Sequence, residues 1–242
     1  MIHSTFIKQE VRLDLATSPH LLTPATTVSA IYPYNRAHAP SSTLHSSANE
    51  LSRWARANLQ RGALDGVSIL APTSYDALWA PYAAIAPNYP TERIGLAWFL
   101  DERHGHRIAR HGGEDVGFRT ELVLLPDDDM AVILLANTMP APLYGFSNAL
   151  VDLMLGMAPD IPKPPALLAL GAVLADDGVP ATAQRYRQLE KTSADRYRFD
   201  ADQFVQYAES LQETGQIDAS QRIARLGLAL YPAAGGLAEL AG

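Results

Sequence analysis

The residues best suited to chemistry lie in the string Arg110-His-Gly-Gly-Glu-Asp-Val-Gly-Phe-Arg-Thr-Glu121. Gly112 and Gly113 have no side chains, so a second backbone or a ligand can approach them closely. His111 precedes them, and a solvent-accessible histidine can change its charge near neutral pH. We expect the string to connect the end of one strand to the start of the next. The pattern fits either a ligand-binding strand end or a glycine-rich hairpin with an incidental histidine.

Other patterns that could support chemistry are weaker. The sequence has no Gly-x-Ser-x-Gly nucleophile elbow and no His-Glu-x-x-His metal pattern. His104 and His106 flank a glycine and could supply two metal ligands, but without a third ligand nearby a solvated loop is the better interpretation. Three aspartates at residues 127–129 follow Pro126 and are typical of a solvated hairpin turn. The sequence therefore predicts neither a metal site nor a cofactor.

Composition excludes several classes of function. The chain has 242 residues, a formal charge of −7 and no cysteine, and its pI is near 5.4. The acidic balance argues against nucleic-acid and anionic-membrane partners, and the missing cysteines exclude disulfides and thiolate chemistry. No apolar run reaches the roughly 18 residues of a membrane span. The first residues lack the pattern of a signal peptide, and localisation stays unknown.

The elements that must position the glycine-flanked string follow from hydrophobic periodicity. Residues 1–47 are rich in Pro, Ser and Thr, and we interpret them mostly as irregular structure that packs on another part. Ser47 and Glu50 form a capping-box pattern at the start of an amphipathic helix, which Gly62 is expected to end. A second short helix should follow Pro72.

From residue 94 the period changes to that of an antiparallel meander with three or four strands. Strands are predicted at residues 94–100, 107–111, 117–125 and 130–136. The last of them is apolar on both faces, so we expect it to be central and covered by helices. A helix over residues 143–157 would provide one cover. After the proline-rich stretch 159–165, helices are predicted near 166–176, 180–191, 201–214 and 216–230.

The order of these segments resembles one family. Residues 95–100 (GLAWFL) and 111–137 (HGGEDVGFRTELVLLPDDDMAVILLAN) are similar to the C-terminal sheet of β-lactamase/penicillin-binding-protein-like serine hydrolases, a family of β-lactamases, peptidases and esterases. Residues 39–79 resemble the part that precedes this sheet. The resemblance covers roughly residues 1–155. It implies an α+β fold, an antiparallel sheet flanked by helices, here followed by an all-helical tail. It also implies hydrolysis of a β-lactam, ester or peptide through an acyl-serine.

Three short motifs build the active site of that family. The third is Lys-Thr-Gly or a variant such as His-x-Gly, and His111-Gly112-Gly113 matches it. The resemblance implies that His111, Gly112, Gly113 and Glu114 bind substrate. His111 would contribute positive charge or a hydrogen bond. The backbone N–H of Glu114 would be one donor of the oxyanion hole.

The other two motifs, Ser-x-x-Lys and Tyr-x-Asn or Ser-x-Asn, are missing. Residues 5–8 (TFIK) have the first spacing with the wrong alcohol, and Ser47-Ala-Asn49 is better explained as a helix cap. Both motifs precede the matched segment in the family, so we expect an incomplete chain without a nucleophile, with Met1 either an internal methionine or the start of a genuine remnant. Such a chain should be inactive alone, expose apolar surface and self-associate.

The C-terminal helices carry a second resemblance, to one tetratricopeptide-like repeat. An ordinary α-hairpin explains the same spacing, and both interpretations stay open. The expected organisation is a hydrolase segment over 1–158, a linker over 159–165 and a helical extension over 166–242. Two functions are considered: a bacterial serine hydrolase of a family that is often periplasmic or extracellular, and a non-catalytic module whose C-terminal helices bind a protein.

Overall fold

The structure, a computed structural model, describes residues 1–12, 14, 16–22, 26–39, 41–85, 92–138 and 141–242. Its strands are β1 His20–Leu22, β2 Thr26–Val28, β3 Ala63–Leu64, β4 Val67–Ser68, β5 Ala83–Ala84, β6 Arg93–Ile94, β7 Phe99–Arg103, β8 His106–Asp115, β9 Phe118–Leu125 and β10 Met130–Ala136. Its α-helices are α1 Ala48–Leu59, α2 Pro72–Leu78, α3 Leu143–Met154, α4 Gly171–Asp176, α5 Gly178–Thr192, α6 Asp202–Glu213, α7 Ile217–Leu230 and α8 Leu237–Leu240. Short 3₁₀ helices cover Lys8–Glu10, Arg36–His38 and Ala166–Leu170.

Two compact units make up the chain. Unit 1 consists of Met1–Thr17, Pro33–Ala136 and Leu143–Asp160. Unit 2 consists of Ser18–Tyr32, Asn137–Pro142 and Ile161–Gly242. The functional division into hydrolase segment, linker and extension stays a prediction.

Unit 1 is built on an antiparallel sheet with the strand order β10-β9-β8-β7-β6-β5. Helices flank it, because α1 packs on β9 and β10 and α3 packs on the same two strands. This confirms the predicted α+β class with an antiparallel sheet and flanking helices. The sheet has more strands than the predicted three or four. The two extra strands, β5 and β6, are two residues long, which is too short to produce a periodic signal.

Strand β8 differs from its prediction. It was expected to end at His111, but it continues through Gly112 and Gly113 to Asp115. The two glycines pair with Glu121 and Thr120 of β9. The β8–β9 pairing therefore continues through residues that have no side chain. The turn to β9 instead falls at Val116-Gly117, where Gly117 has a φ of +76° that favours glycine. His111 therefore lies inside a strand and not at its end.

The expectation that the strand over residues 130–136 is central is wrong. Within the described residues β10 is at one end of the sheet order and pairs only with β9. Its two apolar faces have another cause. Val132 packs with Val151 of α3, whereas Ala131 and Ile133 pack with Ala55 of α1. Both faces are covered by helices, as predicted, although the strand lies at an edge.

Helix α1 begins and ends largely as its sequence indicates. The Ser47 side chain accepts a hydrogen bond from the Glu50 N–H at 3.3 Å. The Glu50 carboxylate does not complete the capping box; it instead accepts the N–H groups of Ile2 and His3 at 2.5 and 2.9 Å. At the other end the Gly62 N–H bonds to the Ala57 carbonyl at 2.7 Å, which closes the helix.

Unit 2 is a β-hairpin, β1–β2, and a group of helices with one continuous apolar core. The predicted helical tail is confirmed: the segment near 166–176 is a 3₁₀ helix followed by α4, and α5, α6 and α7 follow. Helices α6 and α7 pack closely because Gly227 lies against Phe204; a Cβ at Gly227 would be 2.8 Å from the Phe204 Cβ. One helix pair does not distinguish a tetratricopeptide-like repeat from an ordinary α-hairpin, so that resemblance stays a prediction.

None of the helices in the described parts of the chain has the length and apolar composition needed to cross a membrane.

Candidate substrate-binding strand

Strand β8 has two halves with different neighbours. Residues 106–110 pair with β7 on one side, and the last of these pairs is Phe99 with Arg110. From His111 to Asp115 the strand pairs only with β9 among the described residues. In an antiparallel strand, alternate residues direct both N–H and C=O toward the same edge. The second half of β8 therefore presents backbone donors and acceptors along an edge that no described strand covers.

His111 is exposed on this half of the strand. It pairs with Leu122, a partly buried residue that packs against the apolar cluster of α1. The ring of Phe99 lies 5.6 Å from the imidazole, centroid to centroid, at an interplanar angle of 40°. The imidazole is thus accessible to solvent, as the sequence predicts, and one aromatic neighbour limits its movement.

Side chains of strand β9 occupy the space beside the two glycines after His111. A Cβ at Gly112 would be 2.8 Å from Glu121 Oε2, and a Cβ at Gly113 would be 2.7 Å from Thr120 Oγ1. Real Cβ atoms essentially never make contacts this short. The sequence pattern indicated close approach by a ligand or another backbone. The neighbours found here are two side chains of the adjacent strand.

Glu114 occupies an exposed position on β8. Its carboxylate forms an ion pair with Arg119 at 2.6 Å, and the two side chains are 49% and 34% exposed. Exposed pairs of this kind contribute only about 0–1 kcal/mol. The Glu114–Arg119 ion pair therefore adds little to the stability of the hairpin end. That Glu114 donates its N–H to a substrate oxyanion stays a prediction.

A buried charged pair next to the motif was not found from the sequence. Arg110 and Glu121 are 5% and 6% exposed, and Arg110 Nη1 lies 3.8 Å from Glu121 Oε1. Arg110 also donates to Asn148 Oδ1 of α3 at 2.7 Å, and its guanidinium lies 4.3 Å from the ring centre of Tyr144. Burial raises the pKa of Glu121, and the charge of Arg110 partly opposes that shift. The sequence offered one signal for this pair. Strand alternation places Arg110 on the same face of β8 as Gly112, the residue that pairs with Glu121.

The two histidines considered as metal ligands bind different aspartates. His104 Nε2 lies 2.9 Å from Asp152 of α3, and His106 Nδ1 lies 2.9 Å from Asp128. Asp152 is 2% exposed, and Arg103 donates two hydrogen bonds of 2.6 Å to it. These bonds lower the pKa of Asp152 to about 2. No group of three suitable ligands occurs in the described residues.

The turn after Pro126 is solvated at Asp127 and Asp129, as expected, and two of its aspartates also bind side chains of β8. Besides the bond from Asp128 to His106, Asp127 forms an ion pair with Arg107. Both bonds connect the β9–β10 turn to the first half of β8. The Arg107–Asp127 pair is exposed and contributes little, so the partly buried His106–Asp128 contact is the stronger link between the turn and β8.

Comparisons with known proteins agree with this sheet. The family profile described as Beta-lactamase matches residues 2–154. This range is more than half of the chain, and it ends at the last residue of α3. The chain belongs to the β-lactamase family and contains a hydrolase-like domain of that family.

Two relatives give the scale of the similarity. The chain is 31% identical over 121 residues to Unguisins hydrolase ungD′ of Aspergillus campestris, which covers 48% of this chain and 22% of that protein. It is also similar to the octameric penicillin-binding protein homologue from Pyrococcus abyssi, with a TM-score of 0.58 and 17% identity. That match covers 72% of this chain and 38% of the other, and it supports the fold. The chain spans well under half the length of either relative.

Proposed function

We propose that this chain supplies the substrate-binding strand of an acyl-serine hydrolase, with His111, Gly112, Gly113 and Glu114 at the site. The reaction would be attack on an ester, amide or β-lactam carbonyl, formation of an acyl-serine and its hydrolysis. The substrate would be a small molecule that contains an ester, an amide or a β-lactam. The family scaffold alone does not choose among these three types.

The observation that carries this proposal is the edge of β8 from His111 to Asp115, which no described strand covers. An extended acyl group could bond to that edge in the manner of an added strand. The exposed imidazole of His111 lies beside it and could donate a hydrogen bond to a substrate oxygen. The Glu114 N–H, if directed to the same edge, would stabilise the oxyanion of a tetrahedral intermediate by about 3 kcal/mol.

In this proposal the nucleophile comes from a polypeptide segment outside this sequence. The sequence has no Ser-x-x-Lys and no Tyr-x-Asn, and it spans 22% and 38% of the two relatives. Apolar surface on unit 1 agrees with a missing cover. The outer side of α3 and the residues after it expose several large apolar side chains, Phe146, Leu150, Leu153, Met154 and Met157.

Turnover assays test the proposal for the chain alone. Purified protein is incubated with a chromogenic cephalosporin and with short p-nitrophenyl esters, and its intact mass is then measured. We expect no saturable turnover and no covalent acyl adduct. An acyl adduct on this polypeptide would show that the nucleophile is within it.

Reading the DNA upstream of Met1 tests the other half of the proposal. An upstream Ser-x-x-Lys and Tyr-x-Asn, in frame or after a frameshift, would supply the missing groups. The extended protein should then hydrolyse p-nitrophenyl esters. In it His111→Ala should lower kcat/KM by at least about tenfold, the loss of one transition-state hydrogen bond. His106→Ala, on the same strand but bound to Asp128, is the matched control and should have little effect.

A second candidate function is an interaction module formed by the C-terminal helices. A cavity of about 670 Å³ in unit 2 favours it. Its lining includes Asp176 and Asp177 at the end of α4 and Asp218 and Arg222 of α7, and these four side chains are exposed. Exposed charges of both signs around a cavity could bind a polar segment of a partner protein.

Charge reversal at the cavity distinguishes the two candidates. Arg222→Glu should weaken binding of a partner recovered with the wild-type chain, whereas Lys163→Glu, outside the cavity, should not. A clean promoter and ribosome-binding site at Met1 would favour this module over the fragment. No loss of binding in Arg222→Glu would exclude the cavity as the binding surface.

A further inference from the structure

The motif strand has a charged pair on its buried side that is incompletely bonded. Arg110 precedes His111, and Glu121 pairs with Gly112 across the β8–β9 ladder. Both side chains are more than nine-tenths buried. Burying charges is costly unless they are paired and hydrogen-bonded, so this arrangement requires a physical explanation.

The bonding around the pair is asymmetric. Arg110 Nη2 bonds to Asn148, but Arg110 Nε and Nη1 and Glu121 Oε1 have no hydrogen-bond partner among the described residues. The 3.8 Å between Nη1 and Oε1 allows electrostatic attraction without a hydrogen bond. The attraction of Glu121 to Arg110 thus depends on the charge of its carboxyl group more than on fixed geometry.

The same carboxyl group lies beside the backbone of the motif. Glu121 Oε2 fills the space that a side chain at position 112 would occupy, 2.8 Å from the Cβ site. Gly112 has no side chain to absorb a movement of this group. A shift of the carboxyl therefore changes the packing beside Gly112, which precedes Gly113 in the same strand.

We propose that Glu121, held by Arg110, is a positioning residue that sets the backbone conformation of Gly112 and Gly113 through its charge. Ionised Glu121 is drawn toward the guanidinium. Protonated Glu121 loses that attraction, while Arg110 stays bound to Asn148 and Tyr144, and the carboxyl group relaxes against Gly112. The value of this for catalysis rests on the proposed function; the coupling itself does not.

The surroundings of Glu121 make it responsive to pH. From β8 it faces the cation of Arg110; from α3, Tyr144 and Asn148 bind that cation. From β10 it pairs with the uncharged Leu134. On its own strand, Arg119 is bound to Glu114. Burial, the largest influence, raises the Glu121 pKa, so protonation occurs above the usual range of a glutamate.

Carbon NMR of the whole chain tests this coupling without any catalysis. The ¹³Cα shifts of Gly112 and Gly113 report backbone φ and ψ, and they are followed between pH 4 and pH 8. All proteins compared carry His111→Asn, because titration of the adjacent imidazole would itself move these shifts. In that background we expect one inflection above the value of about 4.3 of a free glutamate. In Glu121→Gln the inflection should vanish, and its shifts at pH 7 should match the wild type at low pH. Glu114→Gln, an exposed glutamate on the same hairpin, should keep the inflection.

Two results would overturn the proposal: shifts in Glu121→Gln equal to those of the wild type at pH 7, or an inflection that Glu121→Gln retains. If self-association broadens the spectra, hydrogen exchange of the 111–117 peptide replaces them. Its exchange relative to the 130–136 peptide should change with pH in the wild type and stay constant in Glu121→Gln; a constant ratio in both overturns the coupling. Because neither measurement needs turnover, the coupling can fail while the proposed function stands, and an acyl adduct on this chain would count against the proposed function alone.

Discussion

The two units of this chain bury their apolar residues in different ways. Unit 2 has one large continuous core, in which Tyr186, Phe204 and Leu226 are fully buried. Unit 1 has two small clusters, one on each face of its sheet. The exposed large apolar side chains follow the same division. Among the side chains that the structure describes, those of unit 2 are Val28, Ile31, Ile161 and Ile217, whereas unit 1 has many more, among them the α3 residues Leu150 and Leu153.

The difference indicates which unit buries its own apolar residues. A core that is continuous and covered supplies most of the stability of a small domain. Unit 2 meets that condition, and its glycine at position 227 allows the close helix packing that the core needs. Unit 1 depends more on polar clusters, such as those around Asp152 and Arg110, and keeps apolar surface uncovered. We therefore expect mutations to affect the two units unequally.

The largest expected effect is truncation in the unit 2 core. Phe204 is 0% exposed and lies 5.5 Å from Tyr186 and 5.9 Å from Tyr231, ring centre to ring centre. Phe204→Ala should lower the free energy of unfolding by about 4 kcal/mol. Urea denaturation followed by circular dichroism measures the change. The matched control, Phe146→Ala in unit 1, removes the same atoms from a side chain that is 38% exposed and should cost under about 1 kcal/mol. Equal losses of unfolding free energy at the two positions would contradict the difference between the two units.

The next effect concerns the polar support of unit 1. Asp152→Asn removes the charge that binds Arg103 and His104, and should cost about 3 kcal/mol because the carboxylate is almost fully buried. The pKa of Asp152 is about 2 in the fold against 3.8 ordinarily. A lowered pKa stabilises the fold above pH 4, and this contribution is lost as pH falls through 2.

Denaturation of wild type and Asp152→Asn at pH 7 and pH 3 measures this contribution. The difference between the two proteins should shrink at the lower pH. Asp65→Asn, an exposed aspartate paired with Arg53, is the control and should change little at either pH. A difference that stays constant with pH would contradict the assigned role of Asp152.

A smaller effect is expected where β8 and β9 touch. Gly112→Ala brings a Cβ to 2.8 Å from Glu121 Oε2, and overpacking of this kind costs about 2 kcal/mol. Gly235→Ala, at a glycine with nothing within 4 Å, should be neutral or slightly stabilising. Thermal unfolding compares the two variants. No destabilisation in Gly112→Ala would mean that Glu121 moves aside freely, which also weakens its assignment as a positioning residue.

Sequence reasoning succeeded where local signals were strong. The period of β9 and β10, the cap at Ser47 and the helices after residue 166 each depend on nearby residues, and all lie close to their predicted bounds. The family resemblance, which rests on the order of several segments, is confirmed over residues 2–154.

The predictions were wrong where the structure depends on pairing between residues far apart in the sequence. Consecutive glycines looked like the end of β8, but Glu121 and Thr120 on the neighbouring strand fill the space beside them. Apolar residues on both faces of β10 suggested a central strand, whereas two helices cover an edge strand. The Arg110–Glu121 contact joins residues of different strands. Alternation along β8 places Arg110 and Gly112 on one face, but it does not give the register that brings Glu121 to them. Such errors arise because cross-strand neighbours are fixed by register, which single-sequence periodicity does not specify.

The smallest expected effect tests the apolar surface that sets unit 1 apart. Leu153 is 55% exposed on α3, on the same side as Phe146 and Leu150. If this surface mediates self-association, Leu153→Lys should raise the protein concentration at half-association by about tenfold, which corresponds to about 1.4 kcal/mol. Sedimentation velocity over a concentration series measures it. Ile217→Lys, a similar change at a 46% exposed position of unit 2, should leave association unchanged. A wild-type chain that stays monomeric, or equal shifts in both variants, would mean that the apolar side of α3 is no more adhesive than the rest of the surface.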